Sequence, residues 1–195
     1  MQEQQIKVTP EDFTALSPED EEIIKQMLEA GLHWGRRRSL THPKMRPYIF
    51  SSRGELEIID LAKTLEALKE AKKFIKEVIA SNGIFLLLGT QPAARNDLKN
   101  TAQALNFPYV VDKWLGGTIT NFKTIYSRIH HLKDLEQKIN SPEFAKYTKK
   151  ERHDFQMEYN ELKKKFEGLL SLSELPAAIF VFGVSRHKTA IREAR

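Results

Sequence analysis

The sequence predicts an α/β layered domain with a mostly parallel central sheet, and three observations carry that prediction. Residues 84–88 are five consecutive apolar residues (IFLLL) between turn signals, which is typical of a strand buried on both faces of a parallel sheet. Residues 107–111 and 177–182 predict two further buried strands, each next to a helical segment. This alternation of strands and helices favours right-handed crossover connections within one sheet.

Composition bounds the class of protein. The 195 residues, 41% hydrophobic and 29% charged, suit one domain, or one domain with an appendage, around a real core. The chain has no cysteine, which excludes disulfides, thiolate zinc sites and a cysteine nucleophile and fits a reducing, cytosolic setting. The polar N-terminus resembles neither a secretory signal nor an arginine-rich transit peptide, and no apolar run reaches the length of a membrane span, so we expect a soluble protein.

The elements before the first buried strand follow from local signals. Residues 1–17 are polar and aperiodic, which predicts a flexible acidic arm. Ser17 and Pro18 form a helix start, and Gly31 ends that helix. Residues 48–50 and 56–60 predict short strands separated by a turn at 51–54, and an amphipathic helix follows over 61–80. Further helices are predicted over about 92–105 and from 188 to 195.

Residues 121–170 predict an antiparallel coiled-coil helical hairpin that projects from the α/β domain. The apolar side chains of its second half are spaced 4, 3, 4 and 3 residues apart from Phe155 to Leu169, and those of the first half follow 3, 4 and 3 from Phe122 to Leu132. Ser141-Pro142 separates the halves. The predicted organisation is therefore an arm (1–17), an α/β domain (18–120 and 171–195) and the inserted hairpin (121–170).

The region 31–54, here called the basic stretch, carries the main functional signal. It holds six cations and no Asp or Glu, and Trp34 and Tyr48 lie among them. Unpaired charges are too costly to bury, so these side chains face water or an anion. Guanidinium forks match phosphate geometry and aromatic rings can stack on bases, which favours an RNA-backbone contact surface. A solvated basic loop remains an alternative from the residues alone.

Enzyme chemistry has little support in the sequence. Gly89-Thr90 and residues 114–117 (WLGG) follow predicted strands, where α/β sheets bind ligands. They match neither a dinucleotide fingerprint nor a Walker motif, and glycines that permit tight turns explain them equally well. No pair of histidines has the spacing of a metal site, and there is no nucleophile elbow. A nucleotide-dependent enzyme and a protein-interaction module built on the hairpin are the alternatives to RNA binding.

Several segments together resemble the bacterial small-subunit ribosomal protein S2 family. The matching segments are 28–35 (LEAGLHWG), 42–50 (HPKMRPYIF), 58–61 (IIDL) with 63–64 (KT), 88–90 (LGT), 113–117 (KWLGG), 120–124 (TNFKT) and 175–176 (LP). The resemblance covers roughly residue 20 to the end. The WLGG block followed by Thr-Asn, together with the Pro-Lys-Met block, is highly specific.

The resemblance implies a layered α/β sandwich with a projecting coiled-coil hairpin and a structural, non-catalytic role in the small ribosomal subunit, in the cytoplasm. It implies binding to rRNA, contacts with neighbouring small-subunit proteins, and docking of the OB-fold-repeat ribosomal protein that captures messenger RNA. No cofactor and no metal are expected. The RNA-binding residues expected here are His33, Trp34, Arg36, Arg37, Arg38, His42, Lys44, Arg46, Arg53, Lys113, Trp114, Asn121 and Lys123.

The chain departs from the family pattern at particular positions. Arg36 replaces the usual histidine after Gly35, and Gly183 replaces an acidic residue after the strand that ends near Phe182. The first change strengthens the basic stretch, and the second removes an acid from which the family would build a metal site. The sequence also stops inside a predicted helix, so we expect either a shortened family member or a chain whose C-terminal strand and helix are missing from the sequence.

Overall fold

A computed structural model describes residues 17–195 in two compact units, the first ending at Lys76 and the second running from Glu77 to Arg195. The predicted acidic arm falls almost wholly on residues 1–16, outside the described part of the chain. Within 17–195, no helix is long and apolar enough to cross a bilayer.

The first unit begins with helix α1, Pro18–Glu29. The Ser17 hydroxyl accepts the Asp20 backbone N–H at 3.3 Å, and Gly31 follows the helix with φ +73°, so the predicted start and stop are confirmed. Helix α2 spans Leu61–Ala80. The two helices bury a cluster of four side chains, Ile24, Met27, Leu61 and Leu65.

A three-stranded antiparallel sheet in the first unit carries most of the basic stretch. Its strands are β1 (Trp34–Arg37), β2 (Ile49–Arg53) and β3 (Leu56–Ile59), in the order β1-β3-β2. Two 3-10 helices, Arg38–Leu40 and Pro43–Tyr48, lie between β1 and β2.

One prediction about this sheet was wrong, and one of its strands was not predicted. The predicted turn at 51–54 is largely strand, because β2 continues to Arg53 and pairs with β3 through residues with no apolar pattern. Gly54, at φ +57°, makes the actual turn. Strand β1 was not predicted, because its sequence (WGRR) lacks apolar alternation. The strand forms through backbone pairing with β3.

The second unit contains a three-stranded parallel sheet, which confirms the mixed α/β class. Its strands are β4 (Phe85–Leu88), β5 (Tyr109–Val110) and β6 (Ala178–Val181), in the order β5-β4-β6. All four residues of the central strand β4 are buried, as the apolar run predicted. Strand β6 was predicted to be fully buried, but it is an edge strand and Phe180 is 44% exposed. Helices α3 (Pro92–Ala104) and α6 (Lys188–Ala194) complete this part.

Two long helices occupy the segment predicted to be a hairpin. They are α4 (Phe122–Asn140) and α5 (Lys149–Phe166), joined through a 3-10 helix at Pro142–Lys146. His131 contacts Glu158 at 2.9 Å, and Lys138 lies 3.8 Å from the ring centroid of Phe155. Higher numbers on α4 meet lower numbers on α5, so the helices run antiparallel. Their buried residues join the sheet in one core that includes Leu86, Leu88, Ile125, Ile129, Leu132, Phe166 and Leu169.

Candidate nucleic-acid interface

Hydrogen bonds within the first unit fix part of the backbone of the basic stretch. The Asp60 N–H donates to the Tyr48 carbonyl at 2.9 Å, and the Lys63 ammonium donates to the Pro47 carbonyl at 2.5 Å. Lys63 also lies 3.5 Å from the Asp60 carboxylate. These bonds hold the end of the Pro43–Tyr48 segment against the start of α2. The cations of the basic stretch are therefore attached to a backbone that is fixed at this point. Sequence reasoning did not assign Lys63 this positioning role.

The predicted cations of the basic stretch are mostly solvent-exposed. Arg53 is half-buried, and the exposed members are Arg36, Arg37, Arg38, Lys44 and Arg46. Arg37 forms an ion pair with Glu55 at 3.7 Å, with side chains 66% and 80% exposed. No second ion pair involves the stretch in the part of the chain that the structure describes. Because exposed ion pairs contribute little, nearly all of this positive charge is available to a polyanion.

Aromatic faces lie among these cations. Trp34 is 47% exposed and Tyr48 is 50% exposed. The rings of His33 and Trp34 are 4.7 Å apart, and the half-buried His33 has a buried Nδ1 without a partner among residues 17–195. His33 therefore packs against the indole of Trp34, whose exposed part can stack on a base or ribose.

His42 has a local structural role that leaves one ring nitrogen free for a ligand. Its Nδ1 accepts the Lys44 backbone N–H at 3.2 Å and caps the 3-10 helix that follows. Since Nδ1 is an acceptor, the proton of the neutral ring resides on Nε2. The exposed His42 ring can thus donate from Nε2 to a phosphate oxygen.

The second predicted set of RNA contacts lies in the second unit and divides into two kinds. Lys113 and Lys123 are exposed. Trp114 is half-buried and its indole N–H donates to Glu193 at 3.1 Å. The side-chain oxygen of Asn121 accepts the Thr124 hydroxyl at 2.8 Å. The lysines present free charge, whereas the polar atoms of Trp114 and Asn121 hold the loop that leads into α4.

Glu193 organises this loop and was not identified from the sequence. Besides the Trp114 indole, its carboxylate accepts the backbone N–H of Gly117 at 2.9 Å and of Ile119 at 3.1 Å. Burial by itself would raise the pKa of the Glu193 carboxyl, but these donors outweigh it and lower the pKa below its ordinary value. Glu193 lies more than 70 residues from each donor, so no local sequence signal indicates the contact.

The segments that follow the strands of the parallel sheet line an open cavity of about 470 Å³, and its lining includes Thr90 and Trp114. The parallel arrangement brings these sequence-predicted positions together, as expected for an open α/β sheet. The neighbouring glycines also have structural reasons: Gly117 has φ +86°, and a Cβ on Gly89 would lie 2.7 Å from Leu98. His187 also lines the cavity, and burial together with the nearby Arg186 lowers its pKa, so its ring is neutral at neutral pH.

In the described part of the chain, no group of three or more His, Asp or Glu side chains is placed to hold a metal ion.

Comparisons with known proteins agree on one family. The sequence model of a family described as "Ribosomal protein S2" matches residues 27–195. A protein named "Small ribosomal subunit protein uS2", from Rhodopirellula baltica, is 37% identical over 174 residues, which cover 89% of this chain and 67% of that protein.

Proposed function

The chain belongs to the ribosomal protein S2 family, and from that premise we propose that its basic stretch binds the phosphate backbone of small-subunit rRNA. Family membership gives the chain a structural, non-enzymatic role in the small ribosomal subunit and in translation. Membership of this family therefore excludes the hypothesis of a nucleotide-dependent enzyme. As a ribosomal component, the protein binds rRNA and other ribosomal proteins in the cytoplasm.

One observation carries the proposal for the basic stretch: six cations within residues 31–54, five of them exposed, accompanied by one weak ion pair among the described residues. Phosphate contacts from Arg and Lys fix position and supply most of the sequence-independent affinity. Trp34 and Tyr48 offer stacking faces beside those cations. Binding therefore combines phosphate contacts with stacking on unpaired bases or riboses.

The test compares two triple variants of equal charge change. Arg36, Arg37 and Arg38 are changed together to Ala, and the control changes the exposed Lys72, Lys73 and Lys76 of α2 to Ala. We expect the arginine variant to bind rRNA about 10- to 100-fold more weakly at about 0.1 M salt, because up to three counterion-releasing contacts are lost. The lysine variant should bind nearly as well as the wild type.

Folding is monitored in the same experiment. The circular dichroism spectrum and melting temperature of the arginine variant should stay almost unchanged, because these side chains are exposed and only Arg37 has an ion-pair partner among the described residues. Equal loss of binding in both triple variants would mean that net charge, and not the basic stretch, drives association. Unfolding of the arginine variant would assign those arginines a structural role.

We propose Lys113 and Lys123 as a second rRNA contact, with Trp114 and Asn121 fixing the loop between them. The exposed lysines can reach phosphates directly, whereas Trp114 and Asn121 act through the hydrogen bonds to Glu193 and Thr124. Changing Lys113 and Lys123 to Ala should weaken rRNA binding without lowering the melting temperature. A lowered melting temperature would contradict the assignment.

We propose the exposed faces of α4 and α5 as a docking surface for neighbouring ribosomal proteins. The family resemblance also implies that the OB-fold-repeat protein that captures messenger RNA docks on this protein, without assigning that contact to these helices. We expect their seam to pack as a coiled coil within a layered α/β sandwich. Deleting the pair would remove core residues such as Ile129 and Phe166, so the test uses exposed side chains. Changing Lys149, Lys150 and Arg152 to Glu should weaken protein docking while rRNA binding through the basic stretch persists.

A further inference from the structure

The cavity at the strand ends of the second unit has the position and size of a small-molecule site. Its volume of about 470 Å³ falls in the range of ligand pockets. Thr90 follows β4, Lys113 follows β5, and Arg186 and His187 follow β6. Because the three strands are parallel, their carboxyl ends meet at one edge, where open α/β sheets bind their ligands.

The charges around this cavity favour an anion. Lys113 and Arg186 both line it, and within residues 17–195 neither forms an ion pair with a carboxylate. Asp112 is the acidic residue of the lining, and its carboxylate pairs with Arg95 at 3.2 Å. Lys113 and Arg186 thus bring two cations, unpaired within the described residues, to the same cavity. The nearby carboxylate of Asp112 is already paired with Arg95, so the cations are available to bind a phosphate.

A neutral donor completes the set. Thr90 and His187 lie together, with the Thr90 hydroxyl 3.5 Å from Nε2 of His187, and His187 is only 4% exposed. With Nε2 protonated, the neutral imidazole donates to the Thr90 oxygen and leaves the Thr90 hydroxyl hydrogen for a phosphate oxygen. The cavity thus offers ammonium, guanidinium and hydroxyl donors to one ligand.

An aromatic ring in the same lining indicates a ligand that has a flat ring in addition to a phosphate. Trp114 lines the cavity, and its indole N–H is bonded to Glu193. The ring is therefore held in one orientation, and a base can stack against it without first ordering the side chain.

We propose that this cavity binds a nucleotide, with its phosphate on Lys113, Arg186 and Thr90 and its base against Trp114. The phosphate belongs either to a free nucleoside 5′-monophosphate or to a nucleotide of single-stranded RNA. The proposal does not depend on the basic stretch, because every residue that carries it lies in the second unit. It shares Lys113 and Trp114 with the proposed second rRNA contact, whereas Thr90 and Arg186 belong to the cavity alone. It involves binding without catalysis.

The experiment uses the full chain carrying the Arg36, Arg37 and Arg38 to Ala changes, so that the basic stretch contributes little. Calorimetric titrations at constant ionic strength use the four ribonucleoside 5′-monophosphates, adenosine, inorganic phosphate and an RNA tetranucleotide. We expect saturable binding of at least one monophosphate or of the tetranucleotide, and at least tenfold weaker binding of adenosine and of inorganic phosphate.

Matched variants locate the binding. Arg186→Ala should weaken nucleotide binding at least tenfold, whereas Arg192→Ala, an equal charge change at an exposed position outside the cavity lining, should leave it unchanged. If Arg186→Ala does not fold, Lys113→Ala is compared with Lys123→Ala, since both lysines belong to the proposed second rRNA contact but only Lys113 lines the cavity. Binding of a monophosphate identifies a free nucleotide as the ligand, and binding of the tetranucleotide alone identifies RNA.

Two results would overturn the proposal. One is the absence of saturable binding by every nucleotide probe, or binding that Arg186→Ala and Lys113→Ala leave unchanged. The other is inorganic phosphate binding as tightly as the nucleotides, which would reduce the cavity to a simple anion site. Neither result would affect the proposed rRNA contact of the basic stretch, which is tested separately.

Discussion

At the scale of single residues, Glu193 connects distant parts of the second unit. One carboxylate accepts hydrogen bonds from a side chain and from two backbone N–H groups of the segment that leads into α4. Hydrogen bonds to a charged acceptor are stronger than neutral ones. Glu193 therefore fixes the loop that carries Lys113 and Trp114, and links it to the C-terminal helix α6.

Replacing Glu193 by Gln tests this role. Oε1 accepts from Trp114 and Gly117, and Oε2 accepts from Ile119, so the amide nitrogen of Gln must face at least one N–H donor. We expect a loss of about 1 to 3 kcal/mol in the free energy of unfolding, with a changed environment of the Trp114 indole. Chemical denaturation followed by tryptophan fluorescence measures both, and Glu174→Gln, at an exposed position, should change neither.

The pH dependence of stability follows from the same carboxyl. Its pKa in the folded protein is lowered below the ordinary value of 4.5, so the unfolded chain binds a proton more readily. The stabilising contribution of Glu193 is therefore complete above about pH 4.5 and declines as the pH falls through the lowered pKa. We expect the difference in melting temperature between wild type and Glu193→Gln to shrink below that pH. A difference that grows on acidification would contradict the assignment.

The limits of sequence reasoning are visible at Trp114. RNA binding by Trp114 stays a prediction, and the structure adds that its indole N–H donates to Glu193. The motif around Trp114 could be identified because it is local. Its partner could not, since 79 residues separate the two positions and neither periodicity nor composition links them.

At the scale of elements, Gly35 explains how β1 forms without an apolar pattern. A Cβ on Gly35 would lie 2.6 Å from the backbone oxygen of Glu57, closer than packed atoms approach. Only glycine allows β1 to lie so near β3. The strand therefore depends on backbone proximity, whereas the buried strand β4 depends on side-chain hydrophobicity. This is why the sequence predicted β4 and missed β1.

Gly35→Ala should disrupt the pairing of β1 with β3. The added methyl meets backbone, which cannot rotate away, so we expect a loss of about 1 to 3 kcal/mol in stability. A weaker rRNA contact should accompany it, because Arg36 and Arg37 lie on the displaced strand. Gly116→Ala is the control, since its Cβ would meet no atom within 4 Å. Denaturation of both variants distinguishes a local clash from a general intolerance of alanine, and rRNA binding is compared between Gly35→Ala and the wild type.

The helices α4 and α5 stabilise the second unit through a shared core with the parallel sheet. Ile129 is 1% exposed and belongs to the cluster that includes Leu86 and Phe166. We expect Ile129→Ala to lower the free energy of unfolding by about 2 to 5 kcal/mol, because it leaves a cavity in a packed interior. Met157→Ala, at a position 51% exposed, should cost far less. Similar losses in both variants, measured by urea denaturation, would argue against this core.

At the scale of the whole molecule, charge is distributed very unevenly. The net charge of +5 combines −6 over residues 1–30, where two lysines oppose eight acids, with +11 over the remaining residues. This asymmetry follows from the sequence alone. The apolar runs likewise predicted the α/β class. The sequence also predicted that the cations of the basic stretch face water or an anion, and five of the six are exposed. It did not reveal that Arg53 is half-buried or that Arg37 pairs with Glu55, because those depend on the packing of the folded chain.

Salt dependence tests whether this charge drives assembly. Neutralising about six phosphates releases counterions, so the logarithm of the rRNA association constant should fall with the logarithm of salt concentration at a slope of roughly −4 to −5. Changing Arg36, Arg37 and Arg38 to Ala should make the slope less steep by roughly 2 to 2.5. In lysates, the protein should sediment with the small subunit in sucrose gradients at low salt and dissociate progressively at high salt. A flat salt response would show that affinity comes from uncharged contacts, and the basic stretch would then be only a solvated surface.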